Sequence, residues 1–142
     1  MALITYSSFS SQETKDIGRV IAKDFQEIQK GILCLTGEIG AGKTTLIKGF
    51  VSELLGISEH CVHSPTFNYL NIYEGTGEVY HFDCYRLKNG LDFLGRGFDE
   101  YFTGICLVEW PEKIEDILPQ NRGLITMTSP KENERIVVYE TC

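Results

Sequence analysis

Ile32-Leu33-Cys34-Leu35-Thr36-Gly37-Glu38-Ile39-Gly40-Ala41-Gly42-Lys43-Thr44-Thr45 joins an apolar run to a glycine-rich loop, a lysine and two threonines. The apolar run is too short for a convincing helix and reads as a strand buried on both faces. A phosphate has several oxygens that need donors at short range. Glycines at 37, 40 and 42 permit a tight loop whose backbone N–H groups converge on such an anion. The positive end of a helix opening near Lys43 points the same way. Lys43 is placed to reach the β- and γ-phosphates of a nucleoside triphosphate, and Thr44 to offer its hydroxyl to magnesium. Thr45 is a further candidate for an earlier phosphate. Gly37, Glu38, Ile39, Gly40, Ala41, Gly42, Lys43, Thr44 and Thr45 therefore form the candidate phosphate loop. A glycine-rich turn ahead of a surface lysine is the ordinary alternative, but it does not require the full eight-position pattern between a buried strand and an amphipathic helix.

Downstream, Leu46, Ile47, Phe50, Val51 and Leu54 recur at three- and four-residue steps, and Gly56 is the expected helix stop. Upstream, residues 2–6 read as a strand. Ser10 and Glu13 form a capping box for a helix whose stripe is Ile17, Val20, Ile21, Phe25 and Ile28, closed by Lys30-Gly31. Residues 67–73 and 79–83, separated by Gly75-Thr76-Gly77, give an antiparallel hairpin signal. Short helices broken at Gly95 and Gly97 are expected over 91–101, followed by a buried strand at 105–108. Pro111 opens a short helix through Ile117, and strands are expected at 124–128 and 135–140. The expected fold class is α/β, a three-layer phosphate-loop fold with a mixed sheet that includes the hairpin. One domain spanning 1–142 suffices for this length.

Asp83 and Glu109 stand at the C-terminal ends of expected strands, where open α/β sheets place their sites. Either can hold a metal-bound water or polarise an attacking one, and solvated turn carboxylates are the plain alternative. Trp110 is a core or rim aromatic, or a nucleotide or partner contact. Ser64-Pro65-Thr66-Phe67 is either a proline turn entering a strand or a loop whose Thr66 hydroxyl senses the γ-phosphate. His81, Tyr85 and Arg86 stay undecided; Arg86 suits a phosphate clamp, a partner contact or a surface ion pair.

The net charge is -7, from 13 basic and 20 acidic side chains. Such a chain repels a phosphate backbone unless its cations are gathered, which disfavours primary nucleic-acid binding. Cysteines at 34, 61, 84, 106 and 142 are odd in number and form no Cys-x-x-Cys pair, so neither a disulfide scaffold nor a zinc knuckle is expected. Cys34 and Cys106 sit in apolar runs and read as core. No apolar run approaches the roughly 20 residues of a membrane span, and the N-terminal residues read as a strand, not a signal peptide. A cytoplasmic protein is expected. Three activities fit the residues: a partner-dependent triphosphatase, a small-molecule or nucleotide kinase, and a binding module in which nucleotide orders a partner surface. No arginine-rich lid is evident over 88–104, which weakens the kinase.

The chain resembles the TsaE family (formerly YjeE). The likeness rests on Gly37–Thr45, Ser64-Pro65-Thr66-Phe67, His81-Phe82-Asp83-Cys84-Tyr85-Arg86-Leu87 and Glu109-Trp110-Pro111-Glu112, and it covers nearly the whole chain. Glu38 and Ile39 replace the Asp and Leu usual in that family's loop. The resemblance implies an ATP-hydrolysing protein of bacterial tRNA threonylcarbamoyladenosine synthesis. Lys43 would lie on the phosphates, Thr44 and Glu109 near magnesium, Thr66 in a switch-like loop, and Asp83 where hydrolysis depends on it. It also implies action beside TsaB and TsaD, with TsaD as the transferase acting at tRNA position 37. The tRNA would be contacted through that assembly.

Overall fold

The structure is a computed structural model and describes residues 2–38 and 40–142. Seven strands form one mixed sheet: β1 (Leu3–Ser8), β2 (Gly31–Gly37), β3 (Leu70–Glu74), β4 (Glu78–Asp83), β5 (Ile105–Glu109), β6 (Gly123–Lys131) and β7 (Glu134–Glu140). Their order is β1-β7-β6-β2-β5-β4-β3. The four central strands, β6, β2, β5 and β4, run parallel. Hairpin β3–β4 and strands β7 and β1 add antiparallel edges.

Alternation along the central strands builds the two sides of the core. On β2, Leu33 and Leu35 face one cluster, while Ile32 and Cys34 face the other. On β5, Leu107 joins the first cluster and Cys106 and Val108 the second. Helices α1 (Ser11–Ala22) and α2 (Lys43–Leu55) cover the first side. Helix α3 (Gly90–Gly95) and the 3₁₀ segments Phe98–Thr103 and Pro111–Ile117 cover the second. The expected three-layer α/β fold with a mixed sheet and a hairpin is what the chain adopts.

Where α1 crosses α2, both helices present glycine. A Cβ on Gly49 would stand 2.0 Å from the Lys15 carbonyl oxygen, and one on Gly18 would stand 2.2 Å from that of Leu46. The backbones therefore touch with no room for a side chain, and this crossing fixes the axis of α2 behind the phosphate loop.

Besides shifts at the ends of β1 and β6, three boundary differences from the sequence reading bear on the core and the site. Helix α1 ends at Ala22 and tightens into a 3₁₀ turn over Lys23–Phe25, instead of running to Lys30. That turn places Phe25 edge-on against Phe50, 5.4 Å between ring centres. Gly31 then opens β2, its N–H donated to Gly104, so it is a strand residue and not a helix cap. Val20 and Ile28 fall off the buried stripe and are exposed. In the capping box, Ser10 accepts from the Glu13 N–H at 3.1 Å, while the Glu13 carboxylate turns back to the Phe9 N–H at 2.9 Å. Finally, β3 begins at Leu70, not at residue 67. The N–H groups of Asn68 and Tyr69 both bond to the Pro65 carbonyl, which holds Thr66–Tyr69 as a turn.

Candidate functional site

A cleft of about 510 Å³ opens at the C-terminal ends of the central strands. One wall is the phosphate loop with the first turn of α2. The other is the ends of β4 and β5 with the segment around Thr66. The reason for this placement is the parallel register of the centre. β2 delivers the loop, β4 and β5 run beside it, and Asp83 and Glu109 are direct register partners.

Gly37, Gly40 and Gly42 have φ of 149°, 84° and 96°. At Gly37 the space is closed as well, since a Cβ would meet the Met127 carbonyl oxygen at 2.6 Å. Gly42 caps α2 in the left-handed region without a capping side chain. The N–H groups of Lys43, Thr44 and Thr45 lie in the first turn, where a helix supplies no internal acceptor. They and the helix dipole suit an anion. Lys43 is buried and donates to the Gly37 carbonyl at 2.6 Å, with its Nζ 5.2 Å from the Trp110 ring centre. It has no carboxylate partner among the described residues. A buried ammonium held by one carbonyl and an aromatic face is in position to exchange that carbonyl for phosphate oxygen. Glu38, Gly40, Gly42, Thr44 and Thr45 line the cleft, and Ala41 is buried behind it. Ile39, counted in the loop from sequence, lies outside the described residues.

Asp83 and Glu109 are 6% and 5% exposed, which is unusual for carboxylates and removes the reading of both as solvated turn residues. Asp83 uses both oxygens: Oδ1 accepts from the Tyr85 N–H at 2.9 Å, Oδ2 from the Thr66 hydroxyl at 3.2 Å. The Thr66 hydroxyl also touches that of Ser64 at 2.8 Å. Glu109 Oε2 lies 2.6 Å from His81 Nε2. Trp110 follows with φ of 57°, and its ring packs on Tyr85 at 4.8 Å. The oxygens of Thr44, Asp83 and Glu109 are a hard donor set that fits magnesium, and no basic side chain neutralises Asp83 or competes for it among the described residues.

The structure thus brings together every described cleft residue singled out from sequence. Arg86 stays outside, its guanidinium 5.3 Å over the exposed ring of Phe67. Two further features have no clear sequence signal. Tyr73, read only as a strand residue, sits behind His81, its hydroxyl 3.1 Å from Nδ1; burial pushes its phenol above the ordinary range, which keeps the proton on the oxygen. On the far side of the phosphate loop, a second depression of about 300 Å³ is lined by Ser10, Thr14, Gly40, Thr45 and Arg135. Arg135 lies almost a hundred positions from the loop in sequence, yet donates to the Gly40 carbonyl at 3.4 Å. Among the described residues, no group of three or more His, Cys, Asp or Glu side chains is placed to hold a metal ion, so the fit to magnesium rests on two carboxylates and a hydroxyl.

Comparison with known proteins gives one answer. A family model for the threonylcarbamoyl adenosine biosynthesis protein TsaE matches residues 8–137. The Bacillus subtilis tRNA threonylcarbamoyladenosine biosynthesis protein TsaE is 39% identical over 98% of this chain and 86% of its own length. The protein of the same name from Haemophilus influenzae is 41% identical over 74% of this chain and 72% of its own. The crystal structure of Bacillus subtilis YdiB superposes with a TM-score of 0.75 at 34% identity, covering 97% of this chain and 84% of that one. With a matching fold, a glycine-rich loop and two buried strand-end carboxylates beside the family match over residues 8–137, the chain belongs to the TsaE family.

Proposed function

We propose that this chain is a magnesium-dependent ATPase that supports formation of N6-threonylcarbamoyladenosine at position 37 of tRNA, with weak turnover when alone. The pathway comes from the family; the chemistry comes from the cleft. The observation that carries it is the opposition of Lys43 and the phosphate loop to buried Asp83 and Glu109 across one cleft. A triphosphate bound on the loop presents its terminal phosphate to that opposite wall.

Each residue then has a task. The loop glycines and the first turn of α2 hold phosphate oxygens by backbone N–H groups. Lys43 leaves the Gly37 carbonyl and pairs with the β- and γ-phosphates. Thr44, Glu109 and Asp83 would hold magnesium, Glu109 or Asp83 through water. Magnesium, when bound, screens charge that grows on the phosphate oxygens during transfer. Asp83, held by the Thr66 hydroxyl, would face the terminal phosphate, where a carboxylate can orient a water for in-line attack. Trp110 bounds the cleft against Lys43 and shields the ammonium from water. The second depression, entered past Gly40 and Thr45, offers room for the nucleoside end.

TsaB and TsaD are the proposed partners, and tRNA is met through that assembly, consistent with a net charge of -7. No helix among the described residues is long and apolar enough to cross a membrane, and a cytoplasmic place is part of the same proposal. The deciding experiment measures phosphate release from ATP and GTP, with and without TsaB, TsaD and tRNA. Release from ATP that rises when the assembly is added supports the proposal. Transfer of the labelled γ-phosphate to a stable acceptor would instead make the chain a kinase.

A further inference from the structure

Behind Glu109 a line of hydrogen bonds leaves the cleft and returns to it. His81 is fully buried on β4. Glu109, as a carboxylate, can only accept, so the ring donates from Nε2 across 2.6 Å. On the other side, Nδ1 faces the Tyr73 hydroxyl at 3.1 Å. Tyr73 reaches the His63 carbonyl at 2.8 Å, and Asn71 donates to the same carbonyl at 2.9 Å. His63 begins the segment that continues through Ser64 and Pro65 to Thr66, and Thr66 donates to Asp83. Asp83 is the register partner of Glu109, which closes the circuit.

This circuit is costly for a core. Tyr73 stands in the apolar cluster under α2, where a phenylalanine has the same shape without a hydroxyl to satisfy. The ring of His81 likewise occupies a site with no solvent contact. No buried side-chain polar atom among the described residues lacks a partner. What the two polar groups supply is orientation. They hold Oε2 of Glu109 from behind and anchor the first residue of the Thr66 segment.

We propose that His81 and Tyr73 are positioning residues: they set the Glu109 carboxylate in one orientation and fasten it to the segment 63–66, so that an oriented Glu109 and an ordered Thr66 loop are a single state. The proposal rests on the reading of the cleft as an ATP and magnesium site and adds the coupling within it. Neither side chain touches substrate; both act through Glu109 and the His63 carbonyl.

Three substitutions in the full chain separate the links. Tyr73→Phe removes one hydroxyl and keeps the ring. His81→Gln places an amide nitrogen near the position of Nε2, keeping the Glu109 contact and losing Tyr73. His81→Asn places it near Nδ1, with the opposite effect. The readouts are exchange of the Thr66, Phe67 and Asn68 amides, Trp110 fluorescence on ATP addition without metal, magnesium titration of the ATP-bound protein, and kcat. Without any ligand, Tyr73→Phe is expected to speed loop exchange about tenfold, because the His63 carbonyl then keeps only Asn71, and His81→Gln about threefold, because the Tyr73 hydroxyl stays on that carbonyl but loses its support from behind. ATP binding without metal should stay within about twofold for all three, since the phosphate loop is untouched. His81→Asn should raise the magnesium concentration needed about tenfold, and His81→Gln should hold it within about threefold. Each variant should lower kcat about tenfold with KM for ATP little changed. Wild-type loop exchange in Tyr73→Phe, or the same magnesium response in His81→Gln and His81→Asn, would overturn the coupling. Failure of the wild-type chain to bind ATP would overturn the nucleotide reading itself, an outcome the ligand-free exchange does not depend on.

Discussion

The two walls of the cleft are made by opposite means. The loop wall, the one proposed to hold phosphate, is mostly backbone: its three positive-φ positions are glycines, which reach that region at no steric cost, and beside Lys43 its free donors are main-chain N–H groups. The carboxylate wall is side chain, and its left-handed positions are Tyr69 and Trp110, with φ of 65° and 57°. Each of these costs on the order of 1 kcal/mol or more that surrounding contacts must offset. Tyr69 is held by its carbonyl, which accepts from the Asp83 N–H at 2.9 Å, and the Glu109 carbonyl before Trp110 accepts from Cys84 at 3.0 Å. A wall set by one short loop is ready before any ligand arrives. A wall assembled from residues 63–69, 83–85 and 109–110 depends on several contacts at once and is the one a ligand or partner can adjust. Affinity for the triphosphate should therefore reside in the first wall and turnover in the second.

The sharpest way to break that division is at its two charged centres. Lys43→Ala removes the only ammonium in the cleft among its described lining residues. It should reduce ATP affinity and hydrolysis together, turnover by ~10³-fold, as expected when a charge-assisted contact to the transferring phosphate is lost. Titration through Trp110 fluorescence, the only tryptophan, checks the binding half. Glu109→Gln should lower kcat by ~10²-fold and weaken the magnesium response, while ATP binding without metal stays near the wild-type value. If Glu109→Gln instead abolished metal-free ATP binding, the two walls would not be separable.

A smaller effect on function but a large one on stability is expected from the crossing beneath the phosphate wall. Gly49→Ala forces a methyl into the Lys15 carbonyl, 2.0 Å away, and must spread α1 from α2. The expected cost is roughly 2–4 kcal/mol, read as a lowered midpoint in urea. Thiol reactivity tells whether the other face has stayed closed. Burial pushes the Cys34 and Cys106 thiols up to about 12 and raises that of Cys84 further. At pH 8 these three remain protonated and enclosed, so the exposed Cys61 and Cys142 should react first with an aromatic disulfide reagent. Gly49→Ala should leave that pattern intact in the folded protein, and fast reaction of Cys84 would show that the damage had crossed the sheet.

The same contrast explains what sequence could disclose. The loop wall is contiguous, and a phosphate site requires glycine, lysine and threonine at such positions for reasons that hold in any chain, so the proposal for it is legible in one stretch. Strands β2 and β5 were equally plain, because burial on both faces leaves an unbroken apolar run. The carboxylate wall was readable only as two strand-end acids. Nothing in the spacing of Tyr73, His81 and Glu109 says that they touch; parallel pairing of β4 with β5 and the hairpin bring them together. Residues 67–69 read as strand from sequence because Phe67 and Tyr69 have strand-like side chains, whereas the Pro65 carbonyl captures the N–H groups of Asn68 and Tyr69 and makes a turn. Lys30-Gly31 imitates a helix stop, whereas the chain ends α1 at Ala22 and needs Gly31 in β2.

The smallest expected effect tests where the carboxylate wall ends. Thr66 donates to Asp83 Oδ2 at 3.2 Å, but Asp83 keeps its Oδ1 bond to the Tyr85 N–H when that hydroxyl is removed. Thr66 is also only partly buried, so water can replace the lost donor. Thr66→Ala thus forfeits about 1 kcal/mol at most, a roughly fivefold loss in kcat with little change in KM, and Thr66→Ser should recover most of it. A loss near that of Glu109→Gln would place the Thr66 hydroxyl against the reacting phosphate itself. The boundary of the wall would then move outward, from the strand ends to the turn, and the turn would count among the groups that touch the transferring phosphate instead of those that hold Asp83 in place.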